Sequence, residues 1–367
     1  MAKKMYVGVD GTAKKVKKAY IGAENLARKV KKGYIGVGGV ARPFFSGGEI
    51  AYFGTATPLS FGRAYLAAAS LSGYAIFAGG LISNAVAYAD AYDTNLVESQ
   101  PLSLNTSANY GAAASVGDYA LFGGGASGVT IKSTMTAYDQ SLTRSTPSSL
   151  SKVRWALAAA SVGNYALFGG GNTTSTGSPS AVVDAYDATL TRSTATALGT
   201  ARAYFAAASV GDYAIFAGGG PSSAGALAAV DAYDSNLVKA TPQELSVARR
   251  LLGGASVGGY AVFAGGDSAG TADAYNASLV RSTPTVLDVP ATLMAAVSLG
   301  EYALFGGGKA DGIETTNVTV YDSSLTKSVP QELSVARSYL AAASVGSYAI
   351  FAGGDSAGTA DVYTVLE

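Results

Sequence analysis

The chain has 367 residues, is 49% hydrophobic and only 14% charged, and contains no cysteine and no histidine. These absences exclude disulfides, thiolate nucleophiles, Cys/His zinc sites and every mechanism that needs a histidine base. The net charge is zero, but residues 1–42 carry eleven Lys and Arg against two acids, a local charge of +9, and the remainder is therefore at −9, so the sequence indicates a basic arm on an acidic body.

The first element of the sequence is a repeat of fourteen residues in the arm. It reads KKMYVGVDGTAK (3–14), KKAYIGAENLAR (17–28) and KKGYIGVGGVAR (31–42). The dipeptides at 10–11, 24–25 and 38–39 stand where two-residue hairpin turns would lie, which predicts a meander of strands about a dozen residues long with lysine pairs at their centres. A stack of hairpins this thin buries little surface. We therefore expect the arm, residues 1–45, to become ordered against a partner or against copies of itself.

Docking or oligomerisation is the role we expect for this arm. The residues assigned to it are Tyr6, Tyr20, Tyr34, Lys17, Lys18, Lys31 and Lys32. Lysines and tyrosines can also bind phosphates and stack on bases, but the regular spacing and the turn signals favour an assembly surface over nucleic acid. MAKKMYVGVDGTAKK lacks the apolar core of a signal peptide, and no later stretch is typical of a membrane span.

The rest of the chain, residues 46–367, repeats a unit of about 45 residues seven times. Each copy carries a tyrosine after a tight turn: Tyr74, Tyr119, Tyr165, Tyr213, Tyr260, Tyr302 and Tyr348. Each unit has four strand-like segments, and a period in the forties with this content predicts an all-β, seven-bladed propeller. The Ala- and Ser-rich first segment suits the crowded position around a central channel, and YALF is apolar on both faces, as expected of a blade between two neighbours.

The two ends of the repeat region predict how the ring closes. The seventh unit stops at TADVYTVLE (359–367) without a fourth strand, while TPLSFGRAYL (57–66) resembles VPQELSVARSYL (329–340). We therefore expect the segment before the first unit to supply the missing strand, which removes the open edges of the first and last blades.

The segment VDAYDATLTRSTATALGTARAYFAAASVGDYAIFAGGG (183–220) is similar to a Kelch-type repeat. It has the glycine pair after the second strand, the Tyr-Asp of the third and the Arg before the first. The Trp that usually follows the Tyr in this family is missing, and we expect Leu142, Leu190 and Leu237 to take its packing role.

Together with the link RPFFSGG (42–48), the KK-x-Y-[VI]-G repeat and the near-identical units resemble virion- or tail-associated Kelch-propeller proteins of tailed phages and prophages of Gram-positive bacteria. The resemblance implies a non-enzymatic structural or host-recognition protein of the virion, assembled in the host cytoplasm. Its arm would attach to other tail proteins or to sister subunits, and its propeller would bind a surface glycan or protein. An intracellular Kelch-type scaffold and a polysaccharide-acting enzyme with carboxylates at the channel mouth remain alternatives.

Candidate ligand-binding residues lie on the face of the loops that follow the glycines, since these loops differ between units while the VGDY turn hardly varies. Arginines opening the first strands could form a ring that binds a carboxylate or an acidic sugar, or could bond carbonyls and acids of a neighbouring blade: Arg63, Arg154, Arg202, Arg249 and Arg337. The charged loop residues are Asp267, Asp355, Lys309, Asp311 and Glu314. Their acids lack the spacing of a calcium loop, so we expect neither a metal nor a cofactor.

The third-strand aspartates form a separate set, because each follows a Tyr and precedes a turn. They are Asp93, Asp139, Asp187, Asp234 and Asp322. We expect them to form Asx turns rather than a ligand site.

Overall fold

The computed structural model describes residues 6–366 except 10–11, 16–19, 24–25, 30–31, 38–39, 47–48, 222–224, 268–269 and 356, and it describes residues 6–46 by their backbone alone. The chain divides into two compact units, residues 1–51 with 365–367 and residues 52–364. All the regular structure in the described residues is β-strand. Within that part of the chain there is no helix of the length and apolarity needed to cross a membrane.

The larger unit contains seven four-stranded sheets, and each runs as an antiparallel meander. We call these sheets blades 1 to 7. The first strands are Ala67–Leu71, Ala112–Val116, Ala158–Val162, Ala206–Val210, Gly253–Val257, Ala295–Leu299 and Ala341–Val345. The second strands are Tyr74–Ala78, Tyr119–Gly123, Tyr165–Gly169, Tyr213–Ala217, Tyr260–Ala264, Tyr302–Gly306 and Tyr348–Ala352. The seven-bladed all-β propeller is thus confirmed.

The outer half of each blade follows the same order. The third strands are Ala89–Asp93, Met135–Asp139, Val183–Asp187, Val230–Asp234, Ala272–Asn276, Val318–Asp322 and Ala360–Leu366. The outer strands are Glu98–Ser99, Arg144–Ser145, Arg192–Ala195, Lys239–Ala240, Arg281–Ser282, Lys327–Ser328 and, in blade 7, Glu49–Ala56. Blades 2 and 6 add a small hairpin after the second strand, Ala126–Ser127 with Thr130–Ile131 and Lys309–Ala310 with Ile313–Glu314.

The fourth strand of blade 7 therefore comes from the beginning of the propeller. In the part of this strand that belongs to the larger unit, the Tyr52 hydroxyl donates to Asp361 at 2.8 Å. Tyr52 also packs edge-on against Tyr363, with ring centroids 5.4 Å apart. The first and last segments of the propeller thus meet in one sheet.

Side-chain burial follows from the position of each strand in the blade. Second and third strands are buried on both faces, because each blade lies between two others. The second-strand Phe meets the third-strand Tyr edge-on, as in Phe168 and Tyr186 at 5.8 Å. In the first strands burial alternates: Ala113 and Ser115 are half-buried where they line a central channel, while Ala114 is buried in a core cluster that also contains residues of blade 3.

Backbone bonds between glycines and the next blade hold the ring together. The second glycine of each pair donates its N–H to the carbonyl of the residue that opens the next blade, for example Gly219 to Arg249 at 2.8 Å. The same bond recurs in every blade, and Gly354 of blade 7 donates to Arg63 of blade 1 at 2.9 Å. A Cβ on Gly218 would stand 2.5 Å from the Arg249 carbonyl oxygen, so only glycine permits this approach.

The third-strand tyrosines fix the connectors between blades. Each buried hydroxyl donates to a carbonyl of the segment that leads into its own blade, such as Tyr233 to Thr196 at 2.7 Å. The other six tyrosines that do so are Tyr92, Tyr138, Tyr186, Tyr275, Tyr321 and Tyr363. The leucines expected to replace the Kelch Trp lie in the next turn with φ near 60° and pack against the blade cores, as Leu142, Leu190 and Leu237 do.

The smaller unit contains three antiparallel hairpins. They pair Tyr6–Val9 with Thr12–Lys15, Tyr20–Ala23 with Leu26–Lys29, and Lys32–Val37 with Val40–Ser46. The expected strand length of about a dozen residues, with lysine pairs at the strand centres, stays a prediction, because residues 16–19 and 30–31 lie outside the described residues. The strands flank residues 10–11, 24–25 and 38–39, the positions assigned to two-residue turns.

Candidate functional site

The five arginines that open first strands, for which a ligand-binding ring and a structural role were both open, are fully buried inside their own blades. Each guanidinium group pairs with an aspartate of the third strand and with backbone carbonyls. The pairs are Arg63–Asp90, Arg154–Asp184, Arg202–Asp231, Arg249–Asp273 and Arg337–Asp361. With no exposed surface, these side chains are not available to a ligand, and their acidic partners lie in the same blade rather than in a neighbouring one.

The buried arginine and its aspartate partner are replaced together in two of the seven blades. Blades 2 and 6 open with Ala108 and Ala291 instead of Arg, and their third strands carry Thr136 and Thr319 at the position of the aspartate. A buried carboxylate without a partner is costly, so the loss of the arginine goes with the loss of the acid. Sequence reasoning missed this partner aspartate, although the paired exchange in two of the seven units was the signal for it.

The aspartates at the ends of the third strands form Asx turns, as predicted. The Asp234 carboxylate accepts the N–H groups of Asn236 and Val238, each at 2.8 Å. Asp93, Asp139, Asp187 and Asp322 do the same in their blades. Hydrogen bonds to the charged form lower the pKa of Asp93, chiefly that from the N–H of Val97. These acids therefore act within the scaffold.

The central channel is lined by uncharged side chains of all seven first strands. One part encloses about 310 Å³ and is lined by Ala, Gly, Val and Ser. Its serines bond from blade to blade, as the Ser161 hydroxyl does to the Ser115 carbonyl at 2.6 Å. The second part, about 280 Å³, lies where the chain enters the first strands. We call this second part the mouth cavity.

A closed ring of backbone hydrogen bonds surrounds the mouth cavity. One residue of each blade has a left-handed φ of 53–58° and donates its N–H to the equivalent carbonyl of the preceding blade, at 2.8–3.1 Å. These residues, which we call the mouth ring, are Tyr65, Tyr110, Ala156, Tyr204, Leu251, Leu293 and Tyr339. The last bond, from Tyr65 to Tyr339, closes the circle. The walls of the cavity are thus fixed by the backbone itself.

Four tyrosines line the mouth cavity, and together with Trp155 they form a chain of contacting aromatic rings. Tyr65 lies between Tyr339 and Tyr110, with ring centroids 4.0 and 4.3 Å away. Trp155, which precedes the small Ala156, stands between Tyr110 and Tyr204 at 5.4 and 5.6 Å. We call these five residues the aromatic crescent. Desolvation and the hydrogen bond with Tyr65 raise the pKa values of Tyr110 and Tyr339, so both hydroxyls stay protonated at neutral pH.

Paired charges lie next to the mouth ring in blades 5 to 7, outside the lining of the cavity itself. Arg250 pairs with Asp267 at 2.8 Å. Lys309 pairs with Glu314 at 2.9 Å and lies 5.8 Å from the Tyr339 ring centroid. The hydrogen bond that Lys309 donates to the Glu314 carboxylate raises the pKa of Lys309, and the charge of Asp355 raises it further. The hydroxyl of Ser338 donates to Asp355 at 3.1 Å. We call these paired groups the charged arc.

Four of the five charged loop residues assigned to the site, Asp267, Lys309, Glu314 and Asp355, lie in the charged arc, and none of them lines the mouth cavity. Asp311 lies at the exposed turn of the small hairpin of blade 6, with φ 50°. No three acidic side chains of the described residues are grouped in a way that could hold a metal ion. Sequence reasoning missed the aromatic crescent and Arg250. The sequence did contain a signal for the tyrosines of the crescent, because an aromatic residue follows the opening Arg or Ala by two positions in four of the units. These residues are Tyr65, Tyr110, Tyr204 and Tyr339.

The arm residues assigned to docking are only partly described. Tyr6, Tyr20, Tyr34 and Lys32 lie on strands of the three hairpins, whose side chains the structure does not describe. Lys17, Lys18 and Lys31 lie outside the described residues. The docking role of the arm therefore stays a prediction.

Comparison with known proteins gives a likeness in fold alone. No protein-family model matches the chain, and no curated protein does. Among solved structures, that of YjhT matches with a TM-score of 0.59 and 12% sequence identity. The match covers 75% of this chain and 99% of YjhT. At this identity the likeness supports a seven-bladed propeller and carries no function across.

Proposed function

We propose that this protein is a non-enzymatic recognition component of a tailed phage or prophage particle. In this proposal the mouth of a Kelch-like propeller binds a glycan or protein of the host surface, and the basic arm attaches the propeller to the particle. The particle assignment rests on the resemblance of the arm and repeats to virion- and tail-associated propellers. The recognition role rests on the mouth.

The observation that carries the recognition role is the contrast between the mouth and the rest of the channel. Below the mouth, the channel is lined by Ala, Gly, Val and Ser and carries no charge in its described lining. At the mouth, four tyrosines line the cavity and paired charges lie beside it in blades 5 to 7. A cavity with apolar walls and a few convergent polar groups is the usual form of a binding site, and here it stands on a rigid ring.

A Kelch-like assignment is supported by the contacts that the residues typical of a Kelch repeat make in this structure. The glycine pair bonds to the next blade, the third-strand Tyr anchors a connector and the opening Arg pairs inside the blade. In this proposal the signature residues therefore belong to the scaffold. The residues that vary between blades at the mouth are left to bind the ligand.

Binding without turnover is the test of the recognition role. The full chain should be applied to an array of bacterial surface glycans and to intact host cells, and the bound glycans should be analysed for cleavage or elimination products. We expect retention on a defined subset of glycans or on cells, with every glycan recovered intact. Appearance of shortened or unsaturated products would favour the polysaccharide-acting enzyme instead. Retention only on intracellular host proteins would favour the Kelch-type scaffold.

A further inference from the structure

We infer that the mouth cavity is a subsite for one neutral, terminal pyranose of a glycan, with the tyrosines of the aromatic crescent as its stacking wall and the charged arc, which lies beside Tyr339, as the source of hydrogen bonds to its hydroxyls. This inference rests on the proposed recognition function and narrows its ligand to a carbohydrate. It also places the contact at a single position on the propeller axis.

The size and lining of the cavity suit a single ring. Its volume of about 280 Å³ lies just below the range of about 300–1,000 Å³ that is typical of small-ligand pockets. A pyranose has a face of C–H groups that packs on aromatic rings and an edge of hydroxyls that needs hydrogen-bond partners. Tyr204 and Tyr339 line the cavity from two sides, and Trp155 contacts the Tyr204 ring.

The charged arc favours a neutral sugar over an acidic one. Arg250 is already paired with Asp267, and Lys309 with Glu314. An anionic ligand would have to compete with these carboxylates for each cation. A pair of adjacent hydroxyls can instead donate to Asp267 or Asp355 and accept from Arg250 or Lys309 without separating the pairs.

Preorganisation strengthens the case for this cavity over the outer loops. Every residue of the mouth ring is held by a backbone hydrogen bond to the ring residue of the preceding blade. The Trp155 indole N–H donates to the Thr174 carbonyl at 2.9 Å, which fixes the orientation of that ring. Walls that are rigid before binding lose little conformational entropy when the ligand enters.

The chain itself supplies substitutions that should leave the fold intact. Leu251 and Leu293 occupy the mouth ring with the same left-handed φ as the tyrosines, so Tyr204→Leu and Tyr339→Leu each copy a residue that the scaffold already accepts. Phe61→Ala is the matched control. Phe61 is 48% exposed and stacks on Tyr88 with ring centroids 4.4 Å apart, and it does not line the cavity.

Trp155 is the only tryptophan in the chain, and it contacts Tyr110 and Tyr204 of the cavity lining, so its fluorescence reports on the aromatic crescent. The full-length protein would be titrated with methyl β-D-glucopyranoside, methyl β-D-galactopyranoside, N-acetylglucosamine, L-rhamnose and, as the acidic probe, glucuronic acid. We expect a saturable change in Trp155 emission with at least one neutral sugar, and a weaker response to glucuronic acid. Tyr204→Leu and Tyr339→Leu should each weaken binding about tenfold or more, while Phe61→Ala should bind as the wild type does.

The inference is overturned if no neutral sugar changes the emission, if glucuronic acid binds best, or if the two mouth variants bind like the wild type. Glycan-array binding that survives both mouth substitutions would leave the recognition function standing with its site elsewhere. If the full chain binds neither glycans nor cells, the proposed recognition function itself is wrong. The two failures are thus distinguishable.

Discussion

Single residues in this protein are best understood by comparing the seven copies of each position. The opening Arg and the third-strand Asp are both fully buried, as in Arg249 and Asp273, whose charged atoms lie 2.8 Å apart. In blades 2 and 6 the same two positions hold Ala and Thr. The protein thus contains both forms of one buried contact, which gives a natural reference for a double-mutant cycle.

Removing only the arginine should be far worse than exchanging the pair. We expect Arg249→Ala to lower the free energy of unfolding by about 3–5 kcal/mol, because it leaves Asp273 buried without its main partner. Adding Asp273→Thr should recover at least about 1 kcal/mol of that loss, since it copies blades 2 and 6. Chemical denaturation of the wild type, both single variants and the double variant measures the coupling. A double variant no more stable than Arg249→Ala would refute this account of the pair.

At the scale of the strand and turn, the glycine pairs are the elements that join blades. Gly218 has a φ of +75°, and a Cβ there would lie 2.5 Å from the carbonyl oxygen of Arg249, the residue that opens the next blade. Gly128, at the tip of the small hairpin in blade 2, also has a positive φ of +58° but nothing within 4 Å. Two glycines of similar backbone conformation therefore differ in what surrounds them.

Alanine substitution separates these two roles of glycine. Gly128→Ala should cost about 1–2 kcal/mol, the strain of a left-handed alanine. Gly218→Ala should cost at least about 2 kcal/mol more, because the new methyl group forces the Arg249 carbonyl, where the next blade opens, away from this glycine. Thermal unfolding of the two variants beside the wild type tests this ordering. Equal losses would mean that the contact between blades contributes nothing beyond the backbone conformation.

Most of the strands and turns could be predicted from the sequence, because the same pattern repeats in seven units. Seven units, four strands each, the apolar faces of YALF and the glycine turns all follow from period and pattern. The burial of Arg63 and its equivalents could not be predicted from sequence, since an arginine before a strand can either line a channel mouth or pair with a carboxylate in the core. The aromatic crescent was missed because its rings come from five blades and its members differ, with Trp155 one position earlier than the tyrosines.

At the scale of the whole molecule, seven buried tyrosines tie every connector to its blade. Burial is the main cause that raises the pKa of each, well above the ordinary value of 10. Burial also raises the pKa of Tyr52, in the closing strand, to about 12. Because the folded protein holds these protons more tightly than the unfolded chain, their stabilising contribution is complete below pH 10 and falls as the pH rises further.

We therefore expect a cooperative alkaline transition of the whole propeller above pH 10. Tyrosinate absorbance should rise together with the loss of β-sheet circular dichroism, because the seven hydroxyls ionise only as their blades open. Tyr233→Phe should reduce the number of tyrosines in the transition by one and weaken the fold at neutral pH by about 1 kcal/mol through the lost hydrogen bond. Gradual ionisation of all tyrosines with the sheet intact would contradict the role of these side chains.

The most direct test of the proposed function is whether the protein is carried by particles through its arm. Particles would be purified by density gradient from cells that express either the full chain or a chain lacking residues 1–45, and both would be probed with an antibody against the propeller. We expect the full chain to sediment with the particles and the shortened chain to stay in the soluble fraction, folded by circular dichroism. A full chain that never sediments with particles, or a shortened chain that still does, would contradict the central claim.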